Sequence, residues 1–275
     1  MKIGCIIQAR SDSSRLPRKI FKQLGDKSVI EWVVSRIKKS KVIEEVIIAT
    51  TINDSDNRLE KIASRINVAC FRGSENNVLS RYYEAANRHK LDIIIRATGD
   101  NPYVDFKIID RLVRELQETN SDYVTCIDIP IGFGAEVFTY DALRKAYYNA
   151  KELYELEHVT PYIYLNSKDE FKIRKVSYGV PKTSIRATLD TESDYMFLLA
   201  IFDKLQEDHF SFEDIIRICN KNPWLTFINN NVVQKQKYDN LEMEISAAIE
   251  ILKIQELDSA VKMLKSLQSG VRPND

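Results

Sequence analysis

Through its first half the chain alternates short apolar runs with longer amphipathic ones. IGCIIQ, VIEEVIIATT, NVACFRG and LDIIIRATGD are rich in β-branched residues, and SVIEWVVSRIKKS, SDNRLEKIASRI and NNVLSRYYEAANRH separate them with helical spacing. That is a repeated βαβ pattern. Where a run is apolar without interruption, as at residues 46–49 and 93–95, burial on both sheet faces is expected, the habit of a parallel sheet covered by helices. The fold class read from the pattern is α/β with a mostly parallel central sheet. In open sheets of this kind ligands settle beyond the carboxyl ends of the strands. The loops that begin at Ala9, at FRGS and at TGDNPYVD are therefore expected to face one crevice.

From about Asp128 the pattern changes to a glycine-containing turn, a tyrosine-rich helical stretch and a strand near residues 171–176. It reads as an inserted segment over about 128–180. The chain then returns through IRATLDT to a helix beginning near Glu192, and closes with SFEDIIRICNKN and a long amphipathic tail. No internal repeat, low-complexity tract or Pro/Gly/Ser-rich linker stands out. The expected organisation is one elaborated domain over residues 1–210 and a helical extension over 211–275 to which the pattern assigns no role.

Composition narrows the partners. The chain has 275 residues, enough for roughly one to two domains, and its 40 Lys+Arg balance 40 Asp+Glu. A neutral chain has no global field to attract nucleic acid or an anionic membrane, so any anion site must be built from a local cluster. Basic residues do not interleave systematically with Trp32 or with the Tyr/Phe stripe over 147–164, which favours core or partner surface over stacking on nucleic acid. Cys5, Cys70, Cys126 and Cys219 lie far apart without CxxC spacing, as expected for reduced thiols in a cytoplasmic protein. No apolar run approaches the roughly 18 residues of a membrane span, and the N-terminus enters a strand pattern rather than a signal peptide.

Local clusters do exist. Arg10, Arg15 and Lys19 fall within one loop around Ser13, Ser14 and Pro17, directly after the first strand. Cations and backbone N–H groups converging from one turn suit a polyphosphate. The loop lacks the glycines of a Walker motif, and a solvated basic loop is the alternative. Asp100 sits on a stiff turn between Gly99 and a proline, and Asp190 stands at a strand end before a helix. Each reads as a magnesium ligand or as part of a helix cap, near Asp105 in one case and Thr191 in the other. Facing acids repel, whereas a divalent cation with a triphosphate turns the repulsion into coordination, so the pair supports the metal reading better than either residue alone. Arg72 reads as a contact to base or ribose, or as a surface arginine. Glu136 in GFGAEVF reads as a receiver of acceptor hydroxyls or as a surface acid, and His158 as an acceptor-side or a structural histidine.

Taken in order, IIQARSDSSRLPRK, VIIATT, FRGSENNVLSRYYEAA, IIRATGDNPYVD, AEVFTYDAL, EHVTPYIY and RATLDTESDY resemble the cytidylyltransferases that make CMP-activated sugars, in particular the SpsF-type spore-coat polysaccharide branch. The resemblance runs from Lys2 to about Leu205. It implies a Rossmann-like nucleotide-diphospho-sugar transferase fold, CTP and magnesium, pyrophosphate as product, and a homodimer built partly through the inserted segment. Carried over by position, it implies that Arg10, Arg15 and Lys19 grip the triphosphate, with Ala9 and Ser13 approaching the nucleotide. It places Arg72 and Ser74 near the cytidine, Asp100 and Asp190 on the metal, and Glu136 and His158 on the acceptor side. The chain departs from the family pattern at Asp12 and Arg18, where glycines are usual, and at Gly134, where an acid is common.

The expected reaction is in-line attack of an acceptor oxygen, on a sugar acid or a phosphorylated sugar or polyol, at the α-phosphorus of CTP. No general base is evident in the sequence; metal-bound hydroxide and Asp194 are the candidates to take a hydroxyl acceptor's proton, and a phosphate or carboxylate acceptor needs less help. The alternatives are a sugar-nucleotide-dependent glycosyltransferase and a non-catalytic nucleotide-binding partner.

Overall fold

The computed structural model describes residues 1–165, 170–181, 183–205, 210–232 and 241–268. Strand β1 (Ile3–Gln8) leads through a small hairpin, β2 (Gln23–Leu24) and β3 (Lys27–Ser28), into helix α1 (Val29–Ile37). Then follow β4 (Glu45–Thr51), α2 (Asn57–Arg65), β5 (Ala69–Gly73), α3 (Val78–His89), β6 (Ile93–Thr98), α4 (Phe106–Thr119) and β7 (Tyr123–Ile127). Next come β8 (Glu136–Thr139), α5 (Tyr140–Asn149), α6 (Leu153–His158), α7 (Pro161–Leu165), β9 (Ile173–Ser177), α8 (Glu192–Phe202) and α9 (Phe212–Lys221). The described chain ends in α10 (Leu241–Ile254) and α11 (Asp258–Gln268).

Among the described residues the main sheet has the order β5-β4-β1-β6-β8-β7-β9. Pairings β5·β4, β4·β1, β1·β6 and β7·β9 are parallel, and only β8 runs against its neighbours. Alternation along the central strands divides the core in two. Cys5, Ile7, Ile48, Ile93 and Ile95 pack into one cluster with α1, α4 and α8. Ile6, Ile47, Ala49 and Ile94 pack into the other with α3 and α5. Uninterrupted apolar strands are thus buried on both faces, as the period-2 geometry of a strand between helical layers requires. The chain winds from β1 outward to β5, then returns to place β6 on the other side of β1. This reversal opens a crevice beyond Gln8 and Thr98, which are paired in register.

The stretch over 128–180 is not a separate inserted unit. Its strand β8 is wedged between β6 and β7, and β9 extends the sheet edge. The reason is the apolar run after Glu136: Val137 belongs to one core cluster and Phe138 to the other, so this segment is stable only inside the sheet. Residues 166–169, within the same stretch, lie outside the described residues.

The boundary expected at 210 also moves. The chain divides into compact units Met1–Val232 and Val233–Asp275. Phe212, Ile215, Cys219 and Leu225 are buried in the first unit's core, and the backbone N–H of Phe212 donates to Asp105 Oδ2 at 2.9 Å. The second unit is a hairpin of α10 and α11, in which Gln268 donates to Ser246 across the pair. Residues 233–240 and 269–275 of the expected extension lie outside the described residues. No described helix is long and apolar enough to cross a membrane.

One glycine is needed to bring the second half of the chain to the crevice. Gly132 has φ +101°, and a Cβ there would fall 2.4 Å from the carbonyl carbon and oxygen of Ala187. This close approach lets the backbone N–H of Ala187 donate to the Ile131 carbonyl at 2.8 Å, which pins the segment carrying Arg186 and Asp190 against the sheet. Gly132→Ala is therefore expected to cost more than about 2 kcal/mol, combining backbone strain with a backbone clash. Urea denaturation measures it; a loss below about 0.5 kcal/mol, within the ordinary range for surface changes, would show that the segment relaxes freely.

Candidate functional site

The loop after β1 is held from below. Ala9 still donates to the Ala49 carbonyl at 3.1 Å, as if continuing the strand. Ser11 then donates its N–H to Asp56 Oδ1 at 2.6 Å and its hydroxyl to the Ser55 carbonyl at 2.8 Å. Burial works against charge on Asp56, but hydrogen bonds from Ser11 and Thr51 outweigh it and hold the carboxyl below its ordinary value. Leu16 is buried as an anchor. Arg18 takes a left-handed conformation, φ 58°, which turns the chain into a short 3-10 turn and carries Lys19 into the crevice. Glycine adopts this conformation at no steric cost, whereas the Arg18 side chain is strained there. Asp12, the other departure in the loop, accepts from the Ser55 hydroxyl at 3.0 Å.

Three distant segments meet at Lys19. Its Nζ donates to Asp100 Oδ2 at 2.5 Å and to Asp190 Oδ1 at 2.8 Å. Asp100 is set by Gly99, whose N–H donates to the Gln8 carbonyl at 2.9 Å and whose absent Cβ would sit 2.9 Å from that of Ala9. Asp190 is set beside it because the Leu189 N–H donates to the Asp100 carbonyl at 2.9 Å. Arg186 donates to Asp190 Oδ2 at 2.5 Å, and Arg15 approaches the same oxygen at 3.2 Å. In a partly buried site these charges act strongly on one another. Burial opposes the Lys19 ammonium, yet Asp100 and Asp190 raise its pKa above the ordinary lysine value. Burial likewise opposes the Asp190 carboxylate, while Lys19, Arg15 and Arg186 hold its pKa below the usual carboxylate range. The capping alternatives are decided by geometry. Asp105 caps α4 by accepting from the Lys107 N–H, and Thr191 caps α8 by accepting from the Asp194 N–H, so neither crevice acid is the capping side chain of its helix.

Asp194 does not face the crevice. It is 0% exposed; its Oδ1 accepts from Arg186 at 3.0 Å and Asn229 at 2.9 Å, and its Oδ2 accepts from the N–H groups of Asp190 and Thr191, each at 3.0 Å. Its oxygens orient the turn that presents Asp190, so the expectation that it takes a proton from an acceptor is corrected: no acceptor reaches it.

The remaining candidates are distributed around this centre. Arg10 is half-exposed and 3.7 Å from Glu75; Ala9 is buried and Ser13 half-buried in the same loop. Ser74 is exposed, and its hydroxyl accepts from the Asn77 N–H at 3.2 Å. Arg72 points along the start of α2, donating to the Thr51 carbonyl at 3.1 Å, the Asn53 carbonyl at 2.9 Å and Asn57 at 2.6 Å. Those bonds tie the turn after β4 to β5. Glu136 faces Arg96, its register partner, and accepts from Arg96, from the Tyr123 hydroxyl and from Thr160 at 2.8 Å. It is thus enclosed in a network rather than displayed on the surface. Burial works against charge on Arg96, but Glu136 raises its pKa well above the ordinary value. His158 ends α6, its ring 4.4 Å from that of Tyr154, and its carbonyl accepts from the Thr160 N–H. At Gly134 a Cβ would fall 2.4 Å from Cys126 Sγ, so any larger residue there requires the Cys126 side chain to move.

Arg186 and Arg81 were missed by sequence reasoning. For Arg186 a signal existed: Ile-Arg-Ala-Thr-x-Asp occurs twice, ending at Asp100 and at Asp190. For Arg81 the signal is helical phase, since it shares the buried face of α3 with Val78, Tyr82 and Ala85.

The sequence pattern of the cytidylyltransferase family matches residues 4–254. An uncharacterized protein of Methanocaldococcus jannaschii is 42% identical over 240 residues, covering 86% of this chain and 97% of its own. The spore coat polysaccharide biosynthesis protein SpsF of Bacillus subtilis is 32% identical over 228 residues, 79% of this chain and 94% of that one. A solved cytidylyltransferase from Leptospira borgpetersenii superposes with a TM-score of 0.78 at 33% identity, over 87% of this chain and 100% of that one. With a match that spans most of its length and a crevice that gathers cations and acids at the carboxyl ends of parallel strands, the chain belongs to the cytidylyltransferase family.

Proposed function

We propose that the protein transfers the cytidylyl group of CTP to an oxygen of a sugar acid or of a phosphorylated sugar or polyol, releasing pyrophosphate, for surface polysaccharide or glycan biosynthesis. The observation that carries this reading is the Lys19 ammonium shared between Asp100 and Asp190, two acids aimed at one point beside a basic loop. Similarity to a spore coat polysaccharide protein supports the pathway class.

The donor set suits a hard divalent cation. Two carboxylate oxygens lie within 2.5 and 2.8 Å of one point, and no group of three His, Cys, Asp or Glu side chains forms a fuller cage among the described residues. Magnesium is typically held by one or two carboxylates together with substrate phosphates and water. Bound there, it would polarise the α-phosphate and offset phosphate charge. The chain's own groups do the rest. The Lys19 ammonium transfers from the two acids to phosphate oxygens, while Arg15 and Arg10 turn to the β- and γ-phosphates. Arg186 keeps Asp190 ionised and aimed. The acceptor oxygen, already anionic on a phosphate or carboxylate or giving its proton to solvent water from a hydroxyl, forms its bond to the α-phosphorus as the bridge to the β-phosphate breaks, and the electron pair leaves on pyrophosphate among Arg10, Arg15 and Lys19. Fixed positive groups where charge grows, together with alignment of the two substrates, supply the acceleration. Glu136 and His158 take the acceptor side: Glu136 orders Arg96, Tyr123 and Thr160, and Thr160 is bonded to the backbone of His158.

The test is pyrophosphate release from each of CTP, UTP, ATP and GTP with magnesium and a panel of acidic and phosphorylated sugars. Release is expected with CTP, abolished by EDTA and restored by magnesium. Consumption of a nucleotide sugar instead would make the protein a glycosyltransferase, and CTP binding without turnover would make it a non-catalytic partner.

A further inference from the structure

Helix α10 is apolar on two sides. Leu241, Ile245, Ile249 and Leu252 follow one another at spacings of 4, 4 and 3, and Met243, Ala247, Ile251 and Ile254 repeat those spacings two residues later. An offset of two residues is about 200° around a helix of 3.6 residues per turn, so the two stripes lie on opposite faces. Helix α11 packs on α10, and among the described residues of the pair only Ile249, 5% exposed, and Val261, 7% exposed, are buried. One neighbouring helix reaches one face. The second stripe ends in Ile254, which is 78% exposed.

Two buried side chains do little to hold such a hairpin together, because helices of 14 and 11 residues are marginal in water by themselves. An apolar face of this kind marks an interaction site, and charge decides what fits it. Glu242, Glu244 and Glu250 outnumber Lys253 on α10, whereas a helix that lies on an anionic membrane carries Lys and Arg along its polar face. The acids Glu242 and Glu244 stand in the first turn and Lys253 in the last. A second α10 laid antiparallel brings Glu244 of each copy to the Lys253 end of the other, with Ala247 opposite Ile251, and symmetry makes the contact twice. Laid parallel, acids would meet acids. The family pattern ends at residue 254, so α11 lies beyond it.

We infer that the α10–α11 hairpin is a self-association surface: two copies of this chain join their hairpins in an antiparallel, two-fold symmetric four-helix bundle with the second stripe of α10 at its centre. The contact is independent of the nucleotide chemistry proposed above.

Sedimentation velocity and amide hydrogen exchange of the full chain, from about 1 to about 100 μM, test it together, since the first counts copies and the second locates the contact. The chain is expected to associate as concentration rises, and the amides of residues 241–254 to gain protection in step. Ile251→Lys is expected to weaken association at least about tenfold and to remove that gain. Glu244→Lys and Lys253→Glu should each weaken it, and the double variant should recover most of the loss, a rescue that simple unfolding of the hairpin does not give. Association and α10 protection unchanged in Ile251→Lys would overturn the inference and assign pairing to another surface, such as the segment over 128–180. A chain that stays monomeric at the highest concentration would overturn it as well; protection of α10 gained only on phosphatidylglycerol vesicles would then make the stripe a lipid contact.

Discussion

Lys19→Met is expected to lower pyrophosphate release by about 10²–10³-fold at saturating CTP and magnesium, the range seen when one preorganised charge-stabilising donor is removed from a transition state. Lys19 has two duties. In the empty protein its ammonium is the cation between Asp100 and Asp190; during the proposed reaction it neutralises the departing pyrophosphate. Under the proposed function, extra magnesium would substitute for the first duty but not the second. Magnesium should therefore raise the Tm of the variant more than that of the wild type, while kcat stays low at every magnesium concentration. Steady-state kinetics and thermal unfolding across a magnesium series read both effects. A drop in kcat under about fivefold, or full recovery in magnesium, would reduce Lys19 to a structural counter-ion and shift the catalytic charge to Arg10 and Arg15.

The second large effect concerns a residue remote from substrate. Asp194→Ala is expected to destabilise the protein by about 3–5 kcal/mol, the usual cost of breaking a buried charge pair by removing one partner. Arg186, Asn229 and the N–H groups of Asp190 and Thr191 all lose their shared acceptor. For a domain of this size the Tm should fall by roughly 10 °C. Activity should fall with it, because Arg186 would pull Asp190 out of register with Asp100. A proton-accepting role predicts the reverse separation: lost turnover at unchanged stability. Urea denaturation beside kinetics distinguishes them, and a stability loss under about 1 kcal/mol would mean that the turn holds its shape without the buried carboxylate.

Much of this arrangement was legible along the chain because it is local. Strands β1, β4 and β6 announce themselves as apolar runs at residues 3–8, 46–49 and 93–95, and a strand covered on both faces leaves that signature whatever its neighbours are. The basic loop after β1 and the acids at Asp100 and Asp190 stand at strand ends, where ligands gather in open sheets. Other features are decided by partners far away in sequence. Nothing local distinguishes Arg72, which ties down the turn after β4, from Arg81, whose Nε and Nη1 are enclosed without a hydrogen-bond partner among the described residues. The segment holding Glu136 looks inserted by composition, yet its strand lies inside the sheet, and the helix after 211 looks appended although its apolar face closes the first core.

Sequence alone determined the alternation of strands and helices, the side of the sheet on which chemistry collects, and the residue types present there, since each depends on the period of neighbouring residues. Only the folded chain decided that Lys19 spans two acids, that Asp194 is interior, and that Arg81 is buried on the inner face of α3. Those outcomes depend on which side chains come within about 3 Å of one another across 80 to 170 positions of separation, a distance that no local pattern encodes.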